Sequence, residues 1–122
     1  MSLIRRKPFA LGGTVVLALL IVWGTLTPQV LPRTNSLPID KLLHAGSFAL
    51  YVLPSALFYP RALWAVLACG VLLGGGIELV QPLVGRSRDM ADFLADIIGL
   101  AIGLRIGRVC ARVFGLRSRS TS

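Results

Sequence analysis

The stretch that determines the fold runs from residue 78 to residue 96 and reads Glu78-Leu-Val-Gln81-Pro82-Leu-Val-Gly85-Arg86-Ser-Arg88-Asp89-Met-Ala-Asp92-Phe-Leu-Ala-Asp96. It holds four of the chain's five acidic residues and separates two long apolar runs. The fifth acidic residue, Asp40, lies with Lys41 and His44 at the start of another apolar run. Two short polar stretches therefore interrupt a chain that is otherwise strongly hydrophobic.

The composition is typical of a membrane protein. Of the 122 residues, 55% are hydrophobic and 15% are charged, whereas soluble domains carry about 25% charged residues. The apolar residues form four runs, each near the roughly 20 residues that a membrane-spanning helix needs: 8–27, 39–59, 62–81 and 90–110. We therefore predict an all-α fold, a four-helix transmembrane bundle that forms a single membrane domain of residues 1–122.

The distribution of basic residues predicts the topology of this bundle. Lysine and arginine collect in the cytoplasmic flanks of membrane helices. If the N- and C-termini are both cytoplasmic, nine of the thirteen basic residues lie inside and four lie outside. The net charge of +8 is then a topology signal. Because basic and aromatic residues are not interleaved, we expect the lipid bilayer as a partner and no nucleic acid.

Proline and glycine predict where the helices end and how they pack. Three prolines between residues 28 and 38 predict the first loop, and Tyr59-Pro60-Arg61 predicts a short turn between antiparallel helices. Pro82 and Gly85 should end the third helix. Small residues four apart allow helices to approach closely, and they occur in two sets: Gly70 and Gly74, then Ala95, Gly99, Gly103 and Gly107.

The polar residues are spaced so that each set lies on one helix face. Asp40 and His44 are four residues apart and Glu78 and Gln81 are three apart, while three aspartates of the last helix follow at i, i+3 and i+7. The topology brings all three sets to the outer side of the membrane. A charge in the apolar layer costs at least about 2.5 kcal/mol unless it is paired or hydrated. We therefore expect the sets to share one polar pocket that opens outward.

These residue types favour acid–base chemistry on a phosphate. The imidazole of His44 can act as a general acid, a general base or a nucleophile, oriented by a carboxylate; the candidate catalytic residues are His44, Glu78, Asp40 and Asp92. Guanidinium groups bind phosphate through two hydrogen bonds, and the candidate substrate-binding residues are Lys41, Gln81, Arg86 and Arg88. The alternative interpretations are a histidine that only pins its helix to a carboxylate and arginines that only contact lipid head groups.

The three aspartates of the last helix could also bind a metal ion. Divalent cations such as Mg²⁺ and Ca²⁺ take oxygen ligands, and Asp89, Asp92 and Asp96 lie on one predicted helix face. Asp89 is equally suited to cap the start of that helix. A divalent cation is the cofactor that this pattern allows.

Three motifs together resemble the VanZ-like membrane protein family. They are Asp40-Lys41-Leu-Leu-His44 at a helix start, Glu78-Leu-Val-Gln81 at the next helix end, and Arg86-x-Arg88-Asp89-x-x-Asp92-x-x-x-Asp96-x-x-Gly99. The resemblance covers residues 38–104 and departs at Asp96, where relatives often carry asparagine. It implies a small protein of the bacterial cytoplasmic membrane. The family's namesake is associated with resistance to the glycopeptide antibiotic teicoplanin.

Several functions fit these observations. The first is an enzyme that acts on a lipid-linked phosphate or a phospholipid head group at the outer leaflet. The second is a non-catalytic binder of a lipid, a cell-wall precursor or a glycopeptide, and the third is a structural membrane subunit. Movement of ions or protons across the membrane is disfavoured, because the inner half of each predicted helix lacks ionisable residues at mid-depth.

Overall fold

The computed structural model describes residues 3–26, 39–85 and 90–116, and it describes side chains only from residue 8 and, after the first gap, from residue 41. Within these ranges the chain is all-helical. Its four α-helices are α1 (Leu3–Leu26), α2 (Ile39–Phe58), α3 (Leu63–Val80) and α4 (Met90–Val113). Two short 3₁₀ segments, Pro60–Ala62 and Gln81–Val84, precede and follow α3.

Proline and glycine set the ends of α3 as the sequence predicts. Pro60 lies in the first turn of the segment between α2 and α3, where its fixed φ suits a helix start and its missing N–H costs nothing. After α3, Pro82 opens the second 3₁₀ segment and Gly85 ends it with a φ of 77°, a left-handed conformation that favours glycine. Helix α1 begins at Leu3, ahead of the predicted start at residue 8, because the helix continues into the basic flank that a count of apolar residues leaves out.

The most extensive contact between helices joins α2 and α4. Its basis is the predicted row of small residues, where a side chain on each glycine of α4 would collide with an alanine of α2: Gly99 with Ala45, Gly103 with Ala49 and Gly107 with Ala56. We call these six residues the glycine seam. The residue numbers rise together along it, so α2 and α4 run in the same direction.

Two buried polar contacts tie the neighbouring helices to α2. The Tyr51 hydroxyl donates a hydrogen bond of 2.9 Å to the backbone carbonyl of Val66 in α3. The hydroxyls of Thr14 in α1 and Ser55 in α2 lie 3.4 Å apart and are both buried. The core around these contacts includes Phe48, which is fully buried. Helix α2 is thus the element against which α1, α3 and α4 all pack.

Three helical segments in the described residues are long and apolar enough to cross a membrane, judged by length and composition: Pro8–Leu26, Lys41–Phe58 and Pro60–Val84. Helix α4, which carries two aspartates and three arginines, is not among them. Many large apolar side chains point away from the protein; Trp64 and Leu72, for example, are more than 70% exposed. The predicted apolar helices are therefore present, and three of the four meet the criterion for a span.

Candidate functional site

Five polar side chains from three helices lie together at one end of the structure. We call them the polar cluster: His44 of α2, Glu78 of α3, Gln81 just after α3, and Asp92 and Asp96 of α4. Each is at most 6% exposed. Burying a charged group is costly unless it is paired, so the contacts that these side chains make are informative.

The shortest contact in the polar cluster joins α2 to α4. Nδ1 of His44 lies 2.7 Å from Oδ1 of Asp96, a distance typical of a charge-assisted hydrogen bond in which a protonated ring nitrogen donates to a carboxylate. On the other side of the ring, Nε2 lies 3.8 Å from Oδ2 of Asp92. The imidazole is therefore held between two carboxylates that are one turn apart on α4.

A lysine borders the polar cluster. Nζ of Lys41 lies 3.5 Å from Oδ1 of Asp92, and the lysine side chain is 41% exposed. Ion pairs at such exposure contribute at most about 1 kcal/mol. Lys41 therefore supplies a positive charge at the rim of the site rather than a strong structural contact.

The glycine seam explains why the imidazole and the carboxylate of Asp96 meet. Ala45 follows His44 directly, and Gly99 comes one turn after Asp96, so the tightest backbone approach lies beside the hydrogen-bonded pair. On the third helix, Gly74 performs a similar role. A Cβ atom there would lie 2.9 Å from Oδ2 of Asp96. The absence of a side chain at Gly74 leaves room for this carboxylate beside the face of α3 that carries Glu78 one turn later.

Gln81 joins the polar cluster to the first helix. Its Nε2 donates to the backbone carbonyl of Thr25 near the end of α1, at 3.4 Å. The carbonyls of a helix's last turn have no partner within the helix, so this contact satisfies one of them. Gln81 was predicted from the sequence as a substrate-binding residue. The structure shows in addition that its side chain contacts α1.

A cavity of about 240 Å³ lies between α1 and α2 and reaches the polar cluster at His44. Its lining is mostly apolar, with Ser47 beside His44 and Thr25 on the opposite helix: Leu20, Ile21, Gly24, Thr25, Leu43, His44, Ser47 and Phe48. The sequence predicted a pocket among the last three helices and missed the part that α1 plays. The sequence did signal Ser47, which lies three residues from His44 and therefore on the same helical face.

The carboxylates and the imidazole present a possible set of metal ligands. Within the described residues, His44, Glu78 and Asp96 each offer one ligating atom, and these three atoms lie within 4.8 Å of one another. The set shares only Asp96 with the three aspartates predicted from the sequence. Asp92 is not a member of this group, and its carboxylate contacts Lys41 and the imidazole instead.

Four predicted site residues fall where the structure describes no side chain. Asp40 lies in the first turn of α2, but its side chain is outside the described part of the chain, as are Arg86, Arg88 and Asp89 entirely. Their proposed roles in orienting the histidine, clamping phosphate and binding metal stay predictions. The catalytic and substrate-binding roles of the residues that do meet also stay predictions.

Comparison of the chain with protein-family models, with curated proteins and with solved structures gives no match. The resemblance to the VanZ-like family therefore remains an interpretation of three sequence motifs. Function has to be inferred from the geometry and chemistry of the polar cluster.

Proposed function

We propose that this chain is a VanZ-like multi-pass protein of the bacterial cytoplasmic membrane whose polar cluster acts on the phosphate group of a lipid at the outer leaflet. The observation that carries the proposal is a histidine held between two buried carboxylates at the end of an apolar cavity. The cavity suits a lipid chain, and the polar cluster suits the head group to which that chain is attached.

The packing of α4 supports four spans rather than three. Its aspartates face α2 and α3, where they are buried, while an apolar row on the opposite face is about half exposed: Leu94, Ile98 and Ile102. A helix with this pattern presents hydrocarbon to lipid and keeps its charges against protein, as membrane helices with ionisable residues do. In a four-span protein, the second and fourth helices run in the same direction, and α2 and α4 do so.

The same arrangement supports an outward-facing site. The polar cluster lies at the start of α2, the end of α3 and the start of α4, which is one end of the packed helices. The basic residues at the other end of α4 include Arg105, Arg108 and Arg112. Because basic flanks favour the cytoplasm, the polar cluster belongs to the exterior side.

The chemistry that this geometry supports is proton transfer or nucleophilic attack at a phosphate. Asp96 fixes the imidazole through Nδ1, which leaves Nε2 as the nitrogen that can exchange a proton with a bound group. Alternatively, Nε2 can form a bond to phosphorus as the bond from phosphorus to the leaving oxygen breaks, and that oxygen then takes up a proton. Lys41 at the rim offers a cation for phosphate oxygens. Glu78 provides a second carboxyl group for proton transfer in the same buried place.

The test is turnover by the purified protein in nanodiscs. Polyprenyl phosphate, polyprenyl diphosphate and phospholipids would be supplied separately, and released phosphate or head group would be measured by mass spectrometry. We expect His44→Ala and Glu78→Gln each to lower the rate by about 10²–10⁴-fold, the range for loss of a general acid or base. Cys69→Ala, an exposed position on α3, should leave the rate unchanged. Equal rates for the wild type and His44→Ala would refute the catalytic role.

The depth of burial favours a second candidate, a non-catalytic binder. Every carboxylate of the polar cluster is at most 4% exposed, and the cavity between α1 and α2 borders the cluster at His44. A binder of a lipid, a cell-wall precursor or a glycopeptide would retain its ligand after His44→Gln. Lipid retention together with glycopeptide resistance in this variant would favour the binder. Loss of folding on Asp92→Ala, with no change in binding by the folded fraction, would favour a structural subunit.

A further inference from the structure

We infer that His44, Glu78 and Asp96 bind one divalent transition-metal ion. The binding site stands on its own geometry, and only the ion's task of holding a lipid phosphate rests on the proposed function. The three residues come from α2, α3 and α4, so the ion would join the three helices at one point.

The ligating atoms already converge. One atom from each of the three side chains lies within 4.8 Å of the other two. An ion about 2.0–2.2 Å from each nitrogen or oxygen places tetrahedral ligands about 3.3–3.6 Å apart, so the widest pair would close by about 1 Å and the His44–Asp96 pair would open slightly. The 2.7 Å contact between Nδ1 of His44 and Oδ1 of Asp96 already brings two of the ligating side chains together.

An independent observation concerns the second oxygen of Asp96. Oδ2 is buried and has no hydrogen-bond partner among the described residues, although carboxylate oxygens buried at 1% exposure are normally satisfied. Gly74 leaves the space in front of this oxygen open, since a Cβ there would lie 2.9 Å away. The oxygen therefore faces α3, the helix that contributes Glu78.

The negative charges of the two carboxylates also favour a bound cation. Glu78 and Asp96 bring two carboxylates to one buried place, and like charges at short range disfavour joint ionisation. A divalent ion would neutralise both carboxylates, whereas a shared proton would neutralise one.

The donor set indicates the class of metal. One imidazole and two carboxylates suit Zn²⁺ or Mn²⁺ better than Ca²⁺, which takes six to eight oxygen ligands. Three protein ligands leave at least one coordination position open, as in catalytic zinc sites. A phosphate oxygen of the lipid would occupy that position.

The experiment uses the full chain in detergent, stripped with EDTA and titrated with Zn²⁺ or Mn²⁺ alone by calorimetry and, for Mn²⁺, by electron paramagnetic resonance. We expect one ion per chain. Asp96→Asn and Glu78→Gln should weaken binding by more than about a hundredfold, since losing a ligand exceeds the roughly 10–100-fold effect of losing an outer-shell partner. Asp92→Asn is the matched control, with the same substitution on the same helix. Because Asp92 contacts the imidazole without belonging to the group of three, this variant should weaken binding by about 100-fold at most. A loss in Asp92→Asn that equals the loss in Asp96→Asn would overturn the assignment of ligands.

A spectroscopic measurement distinguishes loss of a metal ligand from a change in affinity that is caused only by altered packing. With Co²⁺ as the probe, Asp96→Cys should give a thiolate-to-cobalt charge-transfer band. The wild type should not give it, because its two cysteines, Cys69 and Cys110, are not part of the group of three. The absence of that band in a folded Asp96→Cys protein overturns the inference. Turnover without metal binding would refute the metal site but not the proposed function. Metal binding without turnover on any lipid would refute the proposed function but not the metal site.

Discussion

The glycine seam should be intolerant of a single methyl group at Gly99, while the same change at Gly76 should be harmless. A Cβ atom on Gly99 would collide with the backbone of Ala45, including its carbonyl oxygen, whereas a Cβ on Gly76 meets no heavy atom of the described residues within 4 Å. Both glycines lie inside helices, in α4 and α3 respectively. The pair therefore separates the effect of packing from that of helix propensity.

The magnitudes follow from this difference. Replacing glycine with alanine inside a helix is favourable by about 1 kcal/mol, a gain that both variants share. Overpacking costs about 1–3 kcal/mol, and at Gly99 the obstacle is backbone, which cannot rotate away as a side chain can. Gly99→Ala should therefore be less stable than Gly76→Ala by about 1–3 kcal/mol.

The assay is reversible unfolding in mixed micelles of a mild detergent and sodium dodecyl sulfate, followed by circular dichroism. Zn²⁺ titration of the same two variants gives a second readout, since a shift of α4 away from Ala45 would separate Asp96 from the adjacent His44. We expect weaker Zn²⁺ binding only in Gly99→Ala. Equal unfolding free energies for the two variants would mean that α2 and α4 do not approach each other as described.

Two further predictions concern single hydrogen bonds, and a third concerns the pH dependence of metal binding. Tyr51→Phe removes the hydrogen bond to the Val66 carbonyl and should lower the free energy of unfolding by about 0.5–1.5 kcal/mol; unchanged stability would argue against the contact. Ser55→Ala removes the buried hydroxyl beside Thr14 and should cost about 1 kcal/mol or less, because the separation of 3.4 Å is long; a loss above about 2 kcal/mol would imply a stronger network. Zn²⁺ affinity should fall as the pH is lowered from about 8 to about 5, since protons compete with the metal for the ligands, above all for His44; calorimetry that shows pH-independent binding would contradict histidine ligation.

Much of the helical framework could be predicted because it depends on local signals. Apolar runs of the right length gave the four helices, and Pro82 with Gly85 gave the end of α3. The row from Gly99 to Gly107 was predicted to pack closely, which the seam confirms. Each of these features is a spacing along one helix, and periodicity shows which residues share a face.

The sequence could not predict which helix faces contact each other, or how the helices are aligned along their axes. Asp96 contacts the imidazole while Asp92 reaches both the ring and Lys41, a division of roles that depends on how α2 and α4 are aligned along their axes. The contribution of α1 was missed for a related reason. Thr25 meets Gln81 through a backbone carbonyl, and no residue type signals such a contact.

The glycine seam also limits the space between α2 and α4. Below the polar cluster, Gly103 and Gly107 lie so close to α2 that not even a methyl group fits between the helices without a shift. A file of water molecules needs far more room than that. The contact between α2 and α4 therefore leaves no room for water between these two helices below the polar cluster, and a larger side chain at Gly103 or Gly107 would have to push the helices apart.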